Sequence, residues 1–139
     1  QLAQRYAGRV SVTIGFNEPL SHQIMAGADI FLMPSRFEPC GLNQMYGMRY
    51  GTPPVVRRTG GLADSVTNAS LDGGTGFVFD DPGAPALQQT IKWAIECYRD
   101  PNTFHRIQLS GMRRDVGWRR SAKLYLDLYA DILKNKQGK

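Results

Sequence analysis

One carboxylate and one small-residue turn have types and spacing that could do chemistry. Glu38 follows a strand-like segment that ends at Ser35, and Cys40-Gly41-Leu42 then opens a helix-like segment. Free backbone N–H groups and the helix dipole attract anions at such a helix start, which in a parallel sheet lies just outside the carboxyl ends of the strands. The pattern therefore predicts a site for a diphosphate or for an array of sugar hydroxyl groups.

A second small-residue turn, Thr59-Gly60-Gly61-Leu62, also opens a helix after a strand end. Two such turns side by side suit one extended, phosphorylated ligand. Simpler interpretations stay open at this point. Tight-turn geometry alone would account for the two glycines, Glu38 could be a solvated loop carboxylate, and Cys40 could be an ordinary half-buried thiol.

Strands must precede both turns, and the sequence predicts about four. The β-branched run VSVTIGF at 10–16 is typical of a strand that ends in a turn, and the nearly continuous apolar run at 28–35 is typical of a strand buried on both faces, at the centre of a parallel sheet. Two shorter strands are expected at 53–56 and 76–79. A doubly wound domain usually has five or six parallel strands, so we expect the rest of the sheet to lie outside this chain.

Helical patterns alternate with these strands. A short helix is expected at about 21–26, a second over 41–51 with its end at Gly51, and a third at 60–66. After Asp80-Asp81-Pro82 the pattern becomes helical, with segments at about 84–99, 102–114 and 119–135. The aromatic residues on these last helices are interpreted as packing residues: Trp93, Tyr98, Tyr125 and Tyr129.

Alternating strands and helices predict an α/β fold with a parallel sheet. We expect one partial domain over 1–139, with a Rossmann-like part at 1–82 and C-terminal helices at 83–139 that pack against the sheet. The hydrophobic fraction of 42% and the charged fraction of 21% are ordinary for a soluble globular chain of 139 residues. Neither an apolar run of about 18 residues nor a secretory leader is present, so no membrane partner is predicted.

The charge and cysteine patterns exclude further classes. The net charge is +5, but the basic residues are scattered without interleaved aromatic residues, which disfavours nucleic acid as a partner. Cys40 and Cys97 lack the spacing of metal ligands or of a disulfide framework, so no metal site is predicted and a cytoplasmic location fits best. His22 and His105 have no partner carboxylate identifiable from sequence and are interpreted as structural or surface residues.

The stretches SRFEPCGLNQMYGMRYGT and RRTGGLADSV resemble the signature of the glycogen and starch synthases, glycosyltransferase family 5, and the similarity extends from about Val10 to the final helix. The resemblance implies a GT-B architecture of which this chain is part of the C-terminal, donor-binding domain. It also implies that glucose passes from ADP-glucose to the nonreducing end of an α-1,4-glucan, with retention of configuration and without a further cofactor. The missing N-terminal domain would supply the acceptor side.

The resemblance assigns roles to residues that match the family motif. Glu38 matches the glutamate beside the donor glucose, and the segment that meets donor sugar and phosphate comprises Cys40, Gly41, Leu42 and Asn43. Asn43 stands where many relatives carry threonine, which keeps a hydrogen-bonding side chain. Phe16 matches an aromatic position, often tyrosine, that stacks on the adenine, although a core role for Phe16 stays open. The Thr59-Gly60-Gly61 turn is the further candidate for ligand contact.

The family's diphosphate-clamping arginine and lysine, and the histidine and glycine-rich donor loop of its N-terminal domain, are expected upstream of this chain. We therefore expect the 139-residue chain alone to be inactive. Two alternatives stay open: another GT-B nucleotide-sugar transferase, such as a sucrose synthase-like enzyme that uses UDP-glucose, and a truncated module that binds nucleotide or glucan without turnover. A dinucleotide oxidoreductase is disfavoured because no G-x-G-x-x-G follows the first predicted strand.

Overall fold

The computed structural model describes residues 1–137 and has an α/β fold with seven helices and three strands in that range. The strands are β1 (Phe31–Met33), β2 (Pro54–Arg57) and β3 (Phe77–Phe79). The helices are α1 (Leu2–Arg5), α2 (Glu18–Gly27), α3 (Asn43–Tyr50), α4 (Gly60–Ser65), α5 (Ala84–Tyr98), α6 (Pro101–Arg113) and α7 (Trp118–Gln137).

The three strands form a parallel sheet in the order β1-β2-β3. Leu32 lies opposite Val55, and Val55 lies opposite Phe77, so the strands run in register. Because all strands point the same way, the segments that follow β1 and β2 leave from the same edge of the sheet. Both predicted turns are on these segments, as the alternation of strand and helix requires.

Side chains alternate along β2 and β3 and build a core on each face of the sheet. On one face, Val55 and Phe77 pack with Ala94 of α5 and Ile107 of α6, and Trp93 meets Phe77 edge-on at 5.0 Å between ring centroids. The residues of the other face pack against α3 and α4: Met48, Val56, Leu62, Val66 and Val78. Helices on both faces explain the continuous apolar character of β2 and β3.

Local signals set the ends of the helices. The Asn17 side chain accepts a hydrogen bond from the Leu20 amide at 3.0 Å and caps α2, while the Asp100 side chain accepts from the Asn102 amide at 3.1 Å and caps α6. Gly51 ends α3 with a φ of 79°, which confirms the predicted helix end. The Asn17 cap places the start of α2 at Glu18, three residues before the position expected from the sequence.

The predicted strand at 10–16 is wrong. This segment has no helix or strand structure, and its side chains are exposed, with Ile14 at 95%. A β-branched run forms a strand when a neighbouring strand accepts its backbone hydrogen bonds. Among the described strands β1 pairs only with β2, so segment 10–16 receives no such partner.

The strand predicted at 28–35 exists but is shorter and lies elsewhere in the sheet. It covers Phe31–Met33, and β1 is an edge strand, whereas β2 occupies the centre. Burial on both faces is also wrong, because Leu32 is 47% exposed. Leu32 points to the same face as Val55, and α5 covers that face over β2 and β3.

The final helices differ in how they pack. Helix α5 packs on β2, β3 and α6, and α6 packs on α3. Helix α7 is absent from the pairs of elements that pack together within the described residues, so the expectation that all three helices pack on the sheet is wrong for α7. Its apolar residues are exposed, and they include Leu124, Tyr125, Leu128, Tyr129, Ile132 and Leu133.

Candidate functional site

The segment between β1 and α3 carries Glu38 at the carboxyl edge of the sheet. Arg57, at the end of β2, donates from Nε to the Ser35 carbonyl at 3.0 Å and from Nη2 to the Arg36 carbonyl. Both bonds tie the start of this segment to the neighbouring strand. Glu38 itself is half-buried, and its carboxylate takes no salt-bridge partner within the part of the chain that the structure describes.

Gly41 lets the chain turn sharply into α3. Its φ is 72°, in the left-handed region, and a Cβ at this position would lie 2.5 Å from Gln44 Oε1. Leu42 precedes the helix and provides no side-chain cap. The first N–H groups of α3 therefore have no side-chain acceptor from the cap, which leaves the positive end of the helix dipole free for an anion.

The second turn lies directly against this segment. The Gly61 amide donates to the carbonyl oxygens of Glu38 and Pro39, each at 3.2 Å. A Cβ at Gly60 would lie 2.0 Å from the Glu38 carbonyl oxygen, and one at Gly61 would lie 1.9 Å from that of Cys40. Both glycines are thus required by backbone packing, and the two turns predicted to be neighbours are in contact.

Close packing alone explains why positions 60 and 61 are glycine, whether or not a ligand binds there. The Gly61 N–H is engaged by loop carbonyls, so it is not among the free donors of a helix start. Thr59 precedes α4 without a side-chain cap bond. Ligand contact by Thr59, Gly60 and Gly61 stays a prediction.

A cavity of about 440 Å³, here called the Phe16 cavity, brings three predicted site residues together: Phe16, Leu42 and Asn43. Phe16 is 96% exposed, so it is not part of the core of this chain. His22 and Tyr46 line the same cavity, with their rings 5.0 Å apart between centroids. The cavity therefore presents aromatic faces beside the start of α3.

Sequence reasoning missed the place of Tyr46 and His22 in this cavity. Tyr46 is three residues after Asn43, a spacing that puts both on one face of α3 and could have identified it. His22 Nδ1 lies 3.1 Å from Tyr50 Oη, so the histidine does have a structural partner as expected. The position of α2 against α3, which brings His22 here, has no local signal in the sequence.

A second cavity of about 320 Å³, here called the Cys40 cavity, borders the other predicted residues Cys40 and Gly61. Arg114 and Arg120 also line it. Burial, and then the nearby charge of Arg120, lower the pKa of the Arg114 guanidinium. Arg114 donates to Thr67 Oγ1 at 3.0 Å and to the Asp64 carbonyl at 2.9 Å, which anchors the end of α6 to α4.

The remaining predicted residues line neither of these two cavities. Glu38 and Gly60 instead meet where the two turns pack together, while Gly41 packs against Gln44 and Thr59 precedes α4. Cys40 and Cys97 are both free thiols. Across the described residues, no cluster of three or more histidine, cysteine or carboxylate side chains could hold a metal ion, and no helix is long and apolar enough to cross a membrane.

The family model for glycosyl transferases group 1 matches residues 1–108 of this chain. This range contains the sheet, both turns and every predicted site residue. The chain belongs to the group 1 glycosyl transferases.

Curated relatives among these transferases are glycogen synthases. The glycogen synthase of Thioalkalivibrio sulfidiphilus is 52% identical over 137 residues, covering 95% of this chain and 28% of the relative. That of Geobacillus thermodenitrificans is 49% identical over 139 residues, covering 99% and 29% respectively. These relatives confirm the resemblance found from the motifs, and the chain spans less than a third of their length.

Solved structures of transferases support the same fold. The catalytic domain of starch synthase IV from Arabidopsis thaliana, bound to ADP and acarbose, matches with a TM-score of 0.83 and 36% identity over 94% of this chain and 28% of that one. Sucrose-phosphate synthase from Thermosynechococcus elongatus matches with a TM-score of 0.67 and 25% identity over 94% and 33%. The expected parallel α/β architecture is thereby confirmed.

Proposed function

We propose that this chain is the C-terminal, donor-binding portion of a glycogen synthase. In the full-length enzyme it would transfer glucose from ADP-glucose to the nonreducing end of an α-1,4-glucan, with retention of configuration, in the cytoplasm. The observation that carries the proposal is the match to a starch synthase domain bound to ADP and acarbose. The glycogen synthase relatives, at about 50% identity, support the same acceptor.

In this proposal the departing diphosphate lies at the uncapped start of α3. Backbone N–H groups and the helix dipole there favour a negative charge, which grows on the diphosphate as its bond to the glucose carbon C1 breaks. Phe16 would stack on the adenine, since its exposed ring borders the cavity that also contains Leu42 and Asn43. The donor would then extend from the Phe16 cavity toward the junction of the two turns.

Glu38 would act on the glucose itself. An unpaired carboxylate beside the sugar orients the donor and offsets the positive charge that develops at C1. The acceptor hydroxyl would attack from the face that the diphosphate leaves, form the new C1–O bond, and pass its proton to the departing diphosphate. This route retains configuration without a covalent intermediate on the protein.

The choice of donor tests the proposal against a UDP-glucose enzyme. Radiolabelled transfer to glycogen should be measured with the full-length enzyme using ADP-glucose and, separately, UDP-glucose. We expect kcat/KM to favour ADP-glucose. A preference for UDP-glucose would instead favour the sucrose synthase-like alternative, and binding of ADP without transfer by the full-length protein would favour a module that does not turn over.

A further inference from the structure

Gln44 is a buried polar residue to which neither the family resemblance nor the proposed mechanism assigns a role. It lies in the first turn of α3, and its side chain is completely buried. Nε2 lies 2.9 Å from the Gly41 carbonyl oxygen and 3.3 Å from that of Cys40, so it holds the segment that leads into its own helix. Oε1 has no hydrogen-bond partner among the described residues. All the hydrogen bonding of this amide therefore goes through its donor group.

The same amide also reaches the second turn. Gln44 Nε2 donates to Ser65 Oγ at 2.9 Å, and Ser65 Oγ donates to the Gly61 carbonyl at 2.5 Å. The directions are consistent, because the hydroxyl accepts one hydrogen bond and donates another. A continuous chain of hydrogen bonds thus joins the Cys40-Gly41 segment to the first turn of α4.

We propose that Gln44 and Ser65 are positioning residues that fix the two turns of the donor site relative to each other. The inference rests on the proposed function, because it assigns these residues to the same site. Gln44 and Ser65 border the Cys40 cavity, and Gln44 acts through the carbonyl groups of Cys40 and Gly41, on the segment that carries Glu38. The Gly61 amide bonds to Glu38 and Pro39 close the same junction from the other side.

Removing this amide should affect catalysis more than folding. Gln44→Met keeps the size and shape of the side chain but removes its donor, so the segment loses its side-chain link to α4 and keeps only the backbone bonds from Gly61. A small displacement of groups that act on the transition state can lower a rate by about a hundredfold. We expect kcat with ADP-glucose to fall by at least about tenfold in the full-length enzyme, with a smaller change in KM.

Gln108 of α6 offers a control, because it bonds to the backbone at the other end of α3. Gln108 Nε2 donates to the Gly51 carbonyl at 2.7 Å, in a partly buried bond that is remote from both turns. Gln108→Met likewise removes an amide donor from a backbone carbonyl and should lower the thermal midpoint, yet change kcat by less than about threefold.

Ser65 provides a milder test, which is valid even when the Gln44→Met variant does not fold. Ser65→Ala breaks the relay and should lower kcat, whereas Ser65→Thr keeps a hydroxyl and should restore much of it. Combined with Gln44→Met, Ser65→Ala should add little, because both substitutions break one chain of hydrogen bonds.

The outcomes separate this inference from the proposed function. A wild-type full-length enzyme that transfers no glucose would contradict the proposed function. A wild-type enzyme that is active, with Gln44→Met and Ser65→Ala both indistinguishable in kcat from Gln108→Met, would overturn the positioning role and leave the proposed function standing. A selective fall in kcat, with partial recovery in Ser65→Thr, supports the inference.

Discussion

At the scale of single residues, Glu38 carries the strongest claim about chemistry. Glu38→Gln in the full-length enzyme should lower kcat by at least about a hundredfold with a smaller change in the KM for ADP-glucose, because the lost charge acts mainly in the transition state. Steady-state kinetics measure this. Glu96→Gln, on the exposed face of α5, is the matched control and should be near wild type. Near-normal turnover in Glu38→Gln would remove Glu38 from the site.

Phe16 is the second residue whose role can be measured separately. Phe16→Ala should weaken ADP binding by about 1–3 kcal/mol, the scale of a base stacked on an aromatic ring. The thermal midpoint should hardly change, because the ring is exposed in this chain. Calorimetric titration of the full-length enzyme with ADP measures the affinity. Ile14→Ala, equally exposed two residues earlier, is the control, and equal ADP affinity in both variants would contradict stacking by Phe16.

The residues of the two turns also show what sequence patterns can predict. Gly60 and Gly61 were predicted as a turn beside the Cys40 segment, and the structure places their backbones in contact. The burial of Gln44 was not predictable in the same way. A glutamine in a helix is usually a surface residue, and its burial here depends on Ser65, which is 21 residues away and reaches it only through the packing of α4 on α3.

At the scale of elements, the helices could be predicted from sequence more accurately than the strands. Helix α3 and its end at Gly51 follow from local residue spacing and a left-handed glycine, so the sequence is sufficient. Strands depend on partners far along the chain, and the run at 10–16 has none among the described residues. The same dependence explains why β1 proved to be an edge strand, since the apolar run itself contains no information about its neighbours.

Truncation of α7 tests whether this helix stabilises the chain by packing on its other elements. Removing residues 122–139 from the 139-residue chain should change the free energy of unfolding by less than about 0.5 kcal/mol, since α7 makes no extensive contact with the other elements described here and its apolar side chains are exposed. Chemical denaturation measures it. Phe77→Ala, in the buried sheet, should by contrast cost about 3–5 kcal/mol. A large loss on truncation would show that α7 packs on the rest of the chain.

The cap of α6 predicts a specific dependence on acidity. Hydrogen bonds from the Thr103 side chain and backbone lower the pKa of Asp100 below its ordinary value. Its contribution to stability is therefore present above the unfolded-state pKa and is lost as the pH falls through the lower folded-state pKa. Asp100→Asn should flatten the acid limb of a plot of unfolding midpoint against pH. Identical acid limbs for Asp100→Asn and wild type would contradict the prediction.

At the scale of the whole molecule, this chain supplies one wall of the proposed donor site. It covers 28% of the length of its relative from Thioalkalivibrio sulfidiphilus. The family resemblance leads us to expect the diphosphate-clamping arginine and lysine outside it. Each charge-assisted phosphate contact contributes about 1.5–3 kcal/mol. Two missing contacts would weaken donor binding by about two to four orders of magnitude.

Catalysis should depend on the rest of the enzyme even more than binding does. Glucosyl transfer requires the acceptor to be held against the donor in a cleft that excludes water, and one wall alone cannot position both. We therefore expect weak binding of ADP or ADP-glucose by the 139-residue chain, without measurable transfer. Calorimetry with ADP establishes whether the folded chain retains its part of the site.

The most direct measurement is transfer of radiolabelled glucose from ADP-glucose to glycogen by three samples at equal concentration. These are the full-length enzyme, its Glu38→Gln variant and the 139-residue chain. If the active site is divided between this chain and the rest of the enzyme, the full-length enzyme should transfer glucose rapidly. The Glu38→Gln variant should be at least about a hundredfold slower, and the 139-residue chain should transfer none. Transfer by the 139-residue chain at even about a hundredth of the full-length rate would contradict this division of the site, because residues 1–139 would then contain a complete active site.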